Sequence, residues 1–118
     1  MELAEKLHEL FVAGQGEVVP GASAADLGNF IPGDKCHDNV SRWLEEHPTH
    51  RAARGWIAST CRWFDQHSVV DTGNGLFDVS PRVADSGLRF IRHPGSEDNF
   101  WHSPSQVSWT GDLFDSTD

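Results

Sequence analysis

Apolar residues recur at Leu3, Leu7, Leu10 and Phe11. That is the i, i+4, i+7, i+8 spacing of a single buried stripe, and it predicts an amphipathic helix over residues 2–13, ended by Gly14 and Gly16. Periodicity then lapses. Residues 14–35 read as one long connection, with turn signals at Pro20-Gly21 and Pro32-Gly33-Asp34 and a short helical turn near Ala22–Leu27 that Ser23 could cap. Connections of this length in a compact domain are often functional, a lid being one example. A helical stripe returns over residues 36–47, where Cys36, Val40, Trp43, Leu44 and His47 share a face, Asp34 is the expected cap and Pro48 the stop. Strand-like runs follow at Ala53–Thr60 and Cys61–Val70. Asp71-Thr72-Gly73-Asn74-Gly75 is a hairpin turn, Leu76–Val79 returns, and Ser80-Pro81 ends it. Leu88–Arg92 is a further short strand. Beyond Pro94-Gly95 the chain is polar and acidic, with Phe100-Trp101 as its anchor.

This pattern predicts one α+β domain over residues 1–118: a small antiparallel β-sheet of three to five strands packed against two helices. Its parts are the helix at 1–13, the long loop at 14–35, a helix-plus-hairpin core at 36–93 and a weakly structured acidic segment at 94–118. Trp43, Trp56, Phe64, Phe77, Val79 and Phe90 are the expected core, with Leu7 and Phe11 docking the first helix.

Composition narrows the function. Only 37% of residues are hydrophobic, yet five Trp and seven Phe among 118 residues can build a core from few side chains. A net charge of −9 argues against a nucleic-acid partner, which needs clustered cations. Arg51, Arg54, Arg62, Arg89 and Arg92 are dispersed, as a solvated surface would have them. No stretch reaches the roughly 20 apolar residues of a membrane span, and the start Met1–Lys6 shows no secretory pattern. A cytoplasmic protein is the expectation. Two cysteines, Cys36 and Cys61, do not form a disulfide framework.

The chemistry centres on Cys36, His67 and Asp78. A cysteine at a helix N-terminus gains from the dipole there and ionises more readily. On the strand, alternation sends Trp63, Asp65, His67 and Val69 one way and Phe64, Gln66, Ser68 and Val70 the other. If Thr72 pairs with Gly75, Val69 faces Asp78 and His67 becomes its diagonal neighbour on the same face, within reach of an imidazole–carboxylate hydrogen bond. A one-residue slip would separate them. The plainer reading keeps Cys36 as a small core residue and the other two as ordinary strand residues; the three together point to an activated thiol. Asn39 and Gln66 are lesser candidates for oxyanion support. Gln66 points away from His67 in a regular strand, and Asn39 fits a solvent-facing or loop-pinning amide better. Metal binding is the rival chemistry, through His47-x-x-His50 or Cys36-His37. Pro48 interrupts the first pair, adjacent residues diverge on a helix, and there is no Cys-x-x-Cys. No metal and no cofactor is therefore expected.

The motifs Cys36-His37-Asp38-Asn39-Val40, Gly55-Trp56, His67-Ser68-Val69-Val70 and Leu76-Phe77-Asp78-Val79-Ser80-Pro81 resemble a pattern in small bacterial and phage proteins of papain-like type. The resemblance covers about residues 36–81. It implies a minimal papain-like core with Cys36 as nucleophile, His67 as base and Asp78 as the orienting group, in a thiol-dependent hydrolase or transferase acting on a protein or small amide substrate. Such folds host peptidases, amidases, deamidases and acyl transferases, so the resemblance does not fix the substrate. The papain Cys-Gly-x-Cys-Trp signature is absent, which argues against general proteolysis, and the compact size and scarce loops favour a deamidase or toxin-like effector. The alternative is a non-enzymatic acidic binding or inhibitor protein of bacterial or phage origin, with a degenerate papain-like fold. It would present Asp26, Asp34, Glu45, Glu46, Glu97, Asp98, Asp112, Asp115 and Asp118 to a basic protein surface.

Overall fold

The computed structural model describes residues 3–20, 36–79 and 89–110. In chain order the elements are α1 (Leu3–Val12), β1 (Glu17–Val18), α2 (Cys36–Glu46), β2 (Arg51–Ala58), β3 (Trp63–Asp71), β4 (Leu76–Phe77), β5 (Arg89–Arg92), α3 (Glu97–Trp101) and β6 (Gln106–Ser108). The architecture is α+β. All strands belong to one antiparallel sheet in the order β1-β5-β2-β3-β4, and β6 also pairs with β3.

Six strands and three helices among the described residues exceed the expected three to five strands and two helices. The additions are short. β1 lies inside the stretch read as a long loop, and α3 and β6 lie in the segment read as weakly structured. The expected turn at Ala22–Leu27 and the Asp34 cap fall outside the described residues.

Two hairpins set the register. Ala58 pairs with Phe64 and Arg51 with Asp71, so β2 and β3 match along their whole length. The β3–β4 turn closes with the Thr72 amide donating to the Gly75 carbonyl at 3.0 Å, as the sequence predicts. Gly73 and Gly75 take positive φ angles of 90° and 155°, which other residues rarely adopt.

Among the described residues, apolar side chains on the sheet form three clusters. Leu7 of α1 meets Trp56, Phe64, Ile91 and Phe100. Val69, Ala53, Ile57 and Phe90 pack with Val19 and Leu76. Val40 and Trp43 of α2 pack on Val70 and Val79. Trp56, Phe64, Phe90 and Phe100 are fully buried, each contributing about 1.5–3 kcal/mol by leaving water. The expected core is found, with Phe77 and Phe11 only partly buried at its margins.

α3 is short and depends on tertiary ties. The Ser96 side chain caps it by accepting from the Asn99 amide. The Trp56 indole donates to Nδ1 of His93 at 3.0 Å, which leaves the proton on Nε2 to donate to Asn99 Oδ1 at 2.8 Å. The Gln66 amide adds a bond to the Phe100 carbonyl at 2.7 Å. These ties hold Glu97, Phe100 and Trp101 beside the start of α2.

Candidate active site

Cys36 is the first residue of α2, and its backbone N–H belongs to the first turn, where helical amides have no intrahelical acceptor. His67 lies mid-way along β3, opposite Gly55 of β2. A Cβ on Gly55 would collide with the Ile91 carbonyl oxygen and come 2.5 Å from Phe90 Cζ. Glycine therefore leaves room for the Phe90 ring over β2, where it makes an edge contact with the His67 ring at 6.4 Å between centroids. That packing is the physical content of the Gly55-Trp56 motif.

The hairpin register continues from Val70 opposite Phe77, so Val69 falls opposite Asp78. His67 is then the diagonal neighbour of Asp78, and His67 Nε2 lies 2.7 Å from Asp78 Oδ2. Both side chains are buried, 4% and 3% exposed, so solvent does little to screen them. The Asp78 amide donates to the Pro20 carbonyl at 2.8 Å, which fixes the backbone behind the carboxylate.

The Cys36 thiol hydrogen-bonds with the His67 and His37 side chains. Burial pushes it upward. The bonds to His37 and His67, and then their positive charge, outweigh burial and bring it from 9.0 down to about 6. Burial pushes His67 down, but the bond to Asp78, the bond to Cys36 and the two negative charges raise it from 6.5 to about 9. Between those values the site holds a thiolate and an imidazolium, an activated nucleophile beside a loaded proton donor.

His37 is the residue that sequence reasoning missed. Adjacent side chains on a helix diverge, yet both Cys36 and His37 reach β3. They can do so because the pairing of β3 with β6 ends at Asp65 and that with β4 begins at Val70. The start of α2 lies at this interruption of the strand's outer edge. Cys36 meets His67 on one face, and His37 meets Ser68 on the other, with Nδ1 2.6 Å from Ser68 Oγ. The His37 ring also packs edge-on against Trp101 at 4.9 Å. Alternation in β3 gave the face of Ser68 but carried no sign of the helix that straddles it.

The lesser candidates take other places. Gln66 points away from His67, and its amide donors serve the carbonyls of Phe100 at 2.7 Å and Ser103 at 3.4 Å, so it holds α3 rather than an oxyanion. Asn39 is fully buried, which corrects the solvent-facing reading. It stands one helical turn from Cys36.

His47 and His50, the rival metal pair, are engaged by Trp43. The three rings stack, His47 Nδ1 donates to the Trp43 carbonyl, and the Trp43 indole donates to His50 Nδ1, both at 3.0 Å. Among the described residues no group of three or more His, Cys, Asp or Glu is placed to hold a metal. Cys61 is a free, partly buried thiol at the tip of the β2–β3 hairpin. At about 3.3 Å per strand residue, that tip lies well over ~10 Å from His67, too far for a redox pair with Cys36. No described helix is long and apolar enough to cross a membrane.

Comparison of the chain with protein-family models, with curated proteins and with solved structures finds no match.

Proposed function

We propose that the protein is a thiol-dependent hydrolase or transferase acting on an amide, with a papain-like arrangement of Cys36, His67 and Asp78. The observation that carries this reading is the buried His67–Asp78 contact at 2.7 Å with the Cys36 thiol bonded to the same imidazole. A buried histidine can be merely structural. One shared between a carboxylate and a helix-start thiol has the connectivity of a nucleophile, base and orienting group.

The chemistry follows from the charge state. The Cys36 thiolate attacks the amide carbon, and the carbonyl electrons move onto oxygen. Backbone N–H groups at the start of α2 face that oxyanion. As the tetrahedral species collapses, the His67 imidazolium gives its proton to the departing nitrogen, and ammonia or an amine leaves. The thioester then meets water or an acceptor amine; neutral His67 takes its proton, and the thiolate departs to restore the site. Asp78 keeps the imidazole oriented throughout. The proposed setting is cytoplasmic, with a protein or small amide as substrate and no cofactor. A side-chain carboxamide is the preferred target, because a compact chain of 118 residues offers little to grip a long peptide.

Incubating the protein with carboxamide-bearing peptides and following ammonia release and amide-to-carboxylate conversion by mass spectrometry tests this reading. A hydroxylamine-sensitive acyl adduct on Cys36, absent in Cys36→Ala, is expected. Function that persists in Cys36→Ala and disappears on charge reversal of the acidic surface would instead support the binding-protein reading.

A further inference from the structure

Arg54 has a set of contacts that the thiol mechanism does not use. In the sheet it lies opposite Ser68, and its Nη1 donates to Ser68 Oγ at 2.9 Å. Ser68 Oγ in turn lies 2.6 Å from Nδ1 of His37, which bonds the Cys36 thiol. The guanidinium is therefore one hydroxyl and one imidazole away from the nucleophile. Its plane is covered by Trp101, with Cζ 4.8 Å from the ring centroid.

The cation is poorly satisfied for its burial. The side chain is 15% exposed, and its nearest carboxylate among the described residues, Glu97, stands 3.7 Å from Nη2, beyond hydrogen-bond range. The Arg54 Nε is buried without a hydrogen-bond partner among the described residues, which leaves the desolvation of that donor uncompensated. A purely structural arginine would gain from closer pairing. Glu97 is 60% exposed on the first turn of a five-residue helix, and the Trp101 indole donates to it at 3.3 Å.

Arg54 also walls a cleft of about 240 Å³, together with Arg92, His93, Ser96 and Phe100. Arg92 turns toward Glu17 and Asp71, at 3.5 and 3.7 Å, so Arg54 is the cation left to the cleft, and it reaches the thiol through Ser68 and His37. The volume suits one residue-sized group. A planar guanidinium under an aromatic face favours a planar carboxylate, and Glu97 already holds a carboxylate loosely in that place.

We infer that Arg54 anchors a carboxylate of the acyl donor whose carbonyl Cys36 attacks. The substrate class is then an amide with an acidic neighbour or a free terminal carboxylate, and Glu97 is the internal group that it displaces. This inference rests on the thiol reading above.

Two alkylating probes that differ only in charge test it: iodoacetyl-glycine and iodoacetyl-glycinamide. Each rate is measured at Cys36 by mass spectrometry, with Cys61 of the same molecule as the reference. The glycine-to-glycinamide ratio at Cys36 should exceed that at Cys61 by at least tenfold. Arg54→Gln should collapse the ratio about tenfold, and Arg54→Lys should restore part of it. Glu97→Gln, at an exposed position that does not threaten the fold, should raise the ratio about threefold by removing the competitor. Reading the ratio cancels any general loss of thiol reactivity. Equal ratios at the two cysteines, or a Cys36 preference that survives Arg54→Gln and so belongs to the His67 imidazolium, would overturn the anchor. A Cys36 that reacts with the neutral probe as an ordinary free thiol would overturn the catalytic reading itself.

Discussion

Replacing His67 with Gln removes the imidazolium while leaving an amide that can still donate to Asp78, so the buried carboxylate is not stranded. The Cys36 shift from 9.0 to about 6 corresponds to about 4 kcal/mol of preference for the thiolate. At pH 5 a thiol of that pKa is about one-tenth ionised, against about one part in ten thousand for the unshifted group, a gain of about 1,000-fold. Intrinsic nucleophilicity falls with pKa along a Brønsted slope of about 0.4–0.5, which returns about 20-fold of that gain. The net advantage is about 50-fold at pH 5. At pH 7 the same arithmetic leaves only about fivefold, because ionisation is nearly complete while the loss of nucleophilicity is unchanged. The informative experiment is therefore a pH profile of iodoacetamide alkylation at Cys36, followed by mass spectrometry with Cys61 as reference.

His37 complicates the magnitude, since it also bonds the thiol. If it holds half of the shift, His67→Gln moves the midpoint to about 7.5 and slows alkylation at pH 5 about sixfold; combining it with His37→Asn approaches the full factor of about 50. A wild-type midpoint near the free-thiol value of about 8.5, or an unchanged midpoint in a folded His67→Gln variant, would refute the assignment of His67 as the group that activates Cys36.

Other consequences reach beyond the thiol. His67 titrates at about 9 in the fold against 6.5 when unperturbed, so its stabilisation is complete below pH 6.5 and lost as pH rises through 9. The stability gap between wild type and His67→Gln, at most about 3 kcal/mol at neutral pH and followed by thermal melts, should close over that interval; a gap that widens with pH contradicts the pairing. Gly55→Ala drives a methyl into the Ile91 carbonyl and the Phe90 ring and should cost about 3 kcal/mol or more in urea denaturation. Gln66→Ala should cost about 1 kcal/mol and lower hydrogen-exchange protection around Phe100, while the pH profile of Cys36 alkylation stays put, because Gln66 serves α3. Glu45 and Glu46 end α2 with no basic residue in its last turn, against the helix dipole. Glu45→Lys with Glu46→Lys should raise stability by roughly 0.5–2 kcal/mol in thermal melts.

The parts of the fold that sequence reading reached are those with enough length to repeat a period. Leu3, Leu7, Leu10 and Phe11 marked α1, and the turn at Asp71–Gly75 fixed the β3–β4 register. That register is what made the His67–Asp78 diagonal legible, since two residues on either side of a defined turn have little freedom in where they meet. Glu17–Val18 and Gln106–Ser108 are too short to alternate visibly and exist as strands through their partners β5 and β3. α3 did leave a local mark, Ser96 followed by Glu97-Asp98, a cap with an acidic first turn. His37 and Arg54 left none. Their roles depend on α2 starting at the interruption between β6 and β4, and on Arg54 and Ser68 standing opposite each other across the ladder, which are facts of assembly rather than of pattern.

Net charge misleads about this site in the same way. A chain at −9 reads as a surface for basic partners, yet the groups converging on Cys36 are two imidazoles and, through Ser68, a guanidinium. Among the described residues, Asp78 is consumed by His67 and Glu97 is exposed. Coulomb energy falls with distance and is screened beyond about 8–10 Å in physiological salt, so the surface carboxylates do little to the thiolate, while the contacts beside it set its charge. An anionic substrate would still cross a repulsive surface field before meeting Arg54. Added salt should therefore speed the reaction of iodoacetyl-glycine at Cys36 by screening the approach, until it begins to weaken the Arg54 contact. A rate that instead falls steadily from the lowest salt would mean that the local cations dominate the approach as well as the bound state.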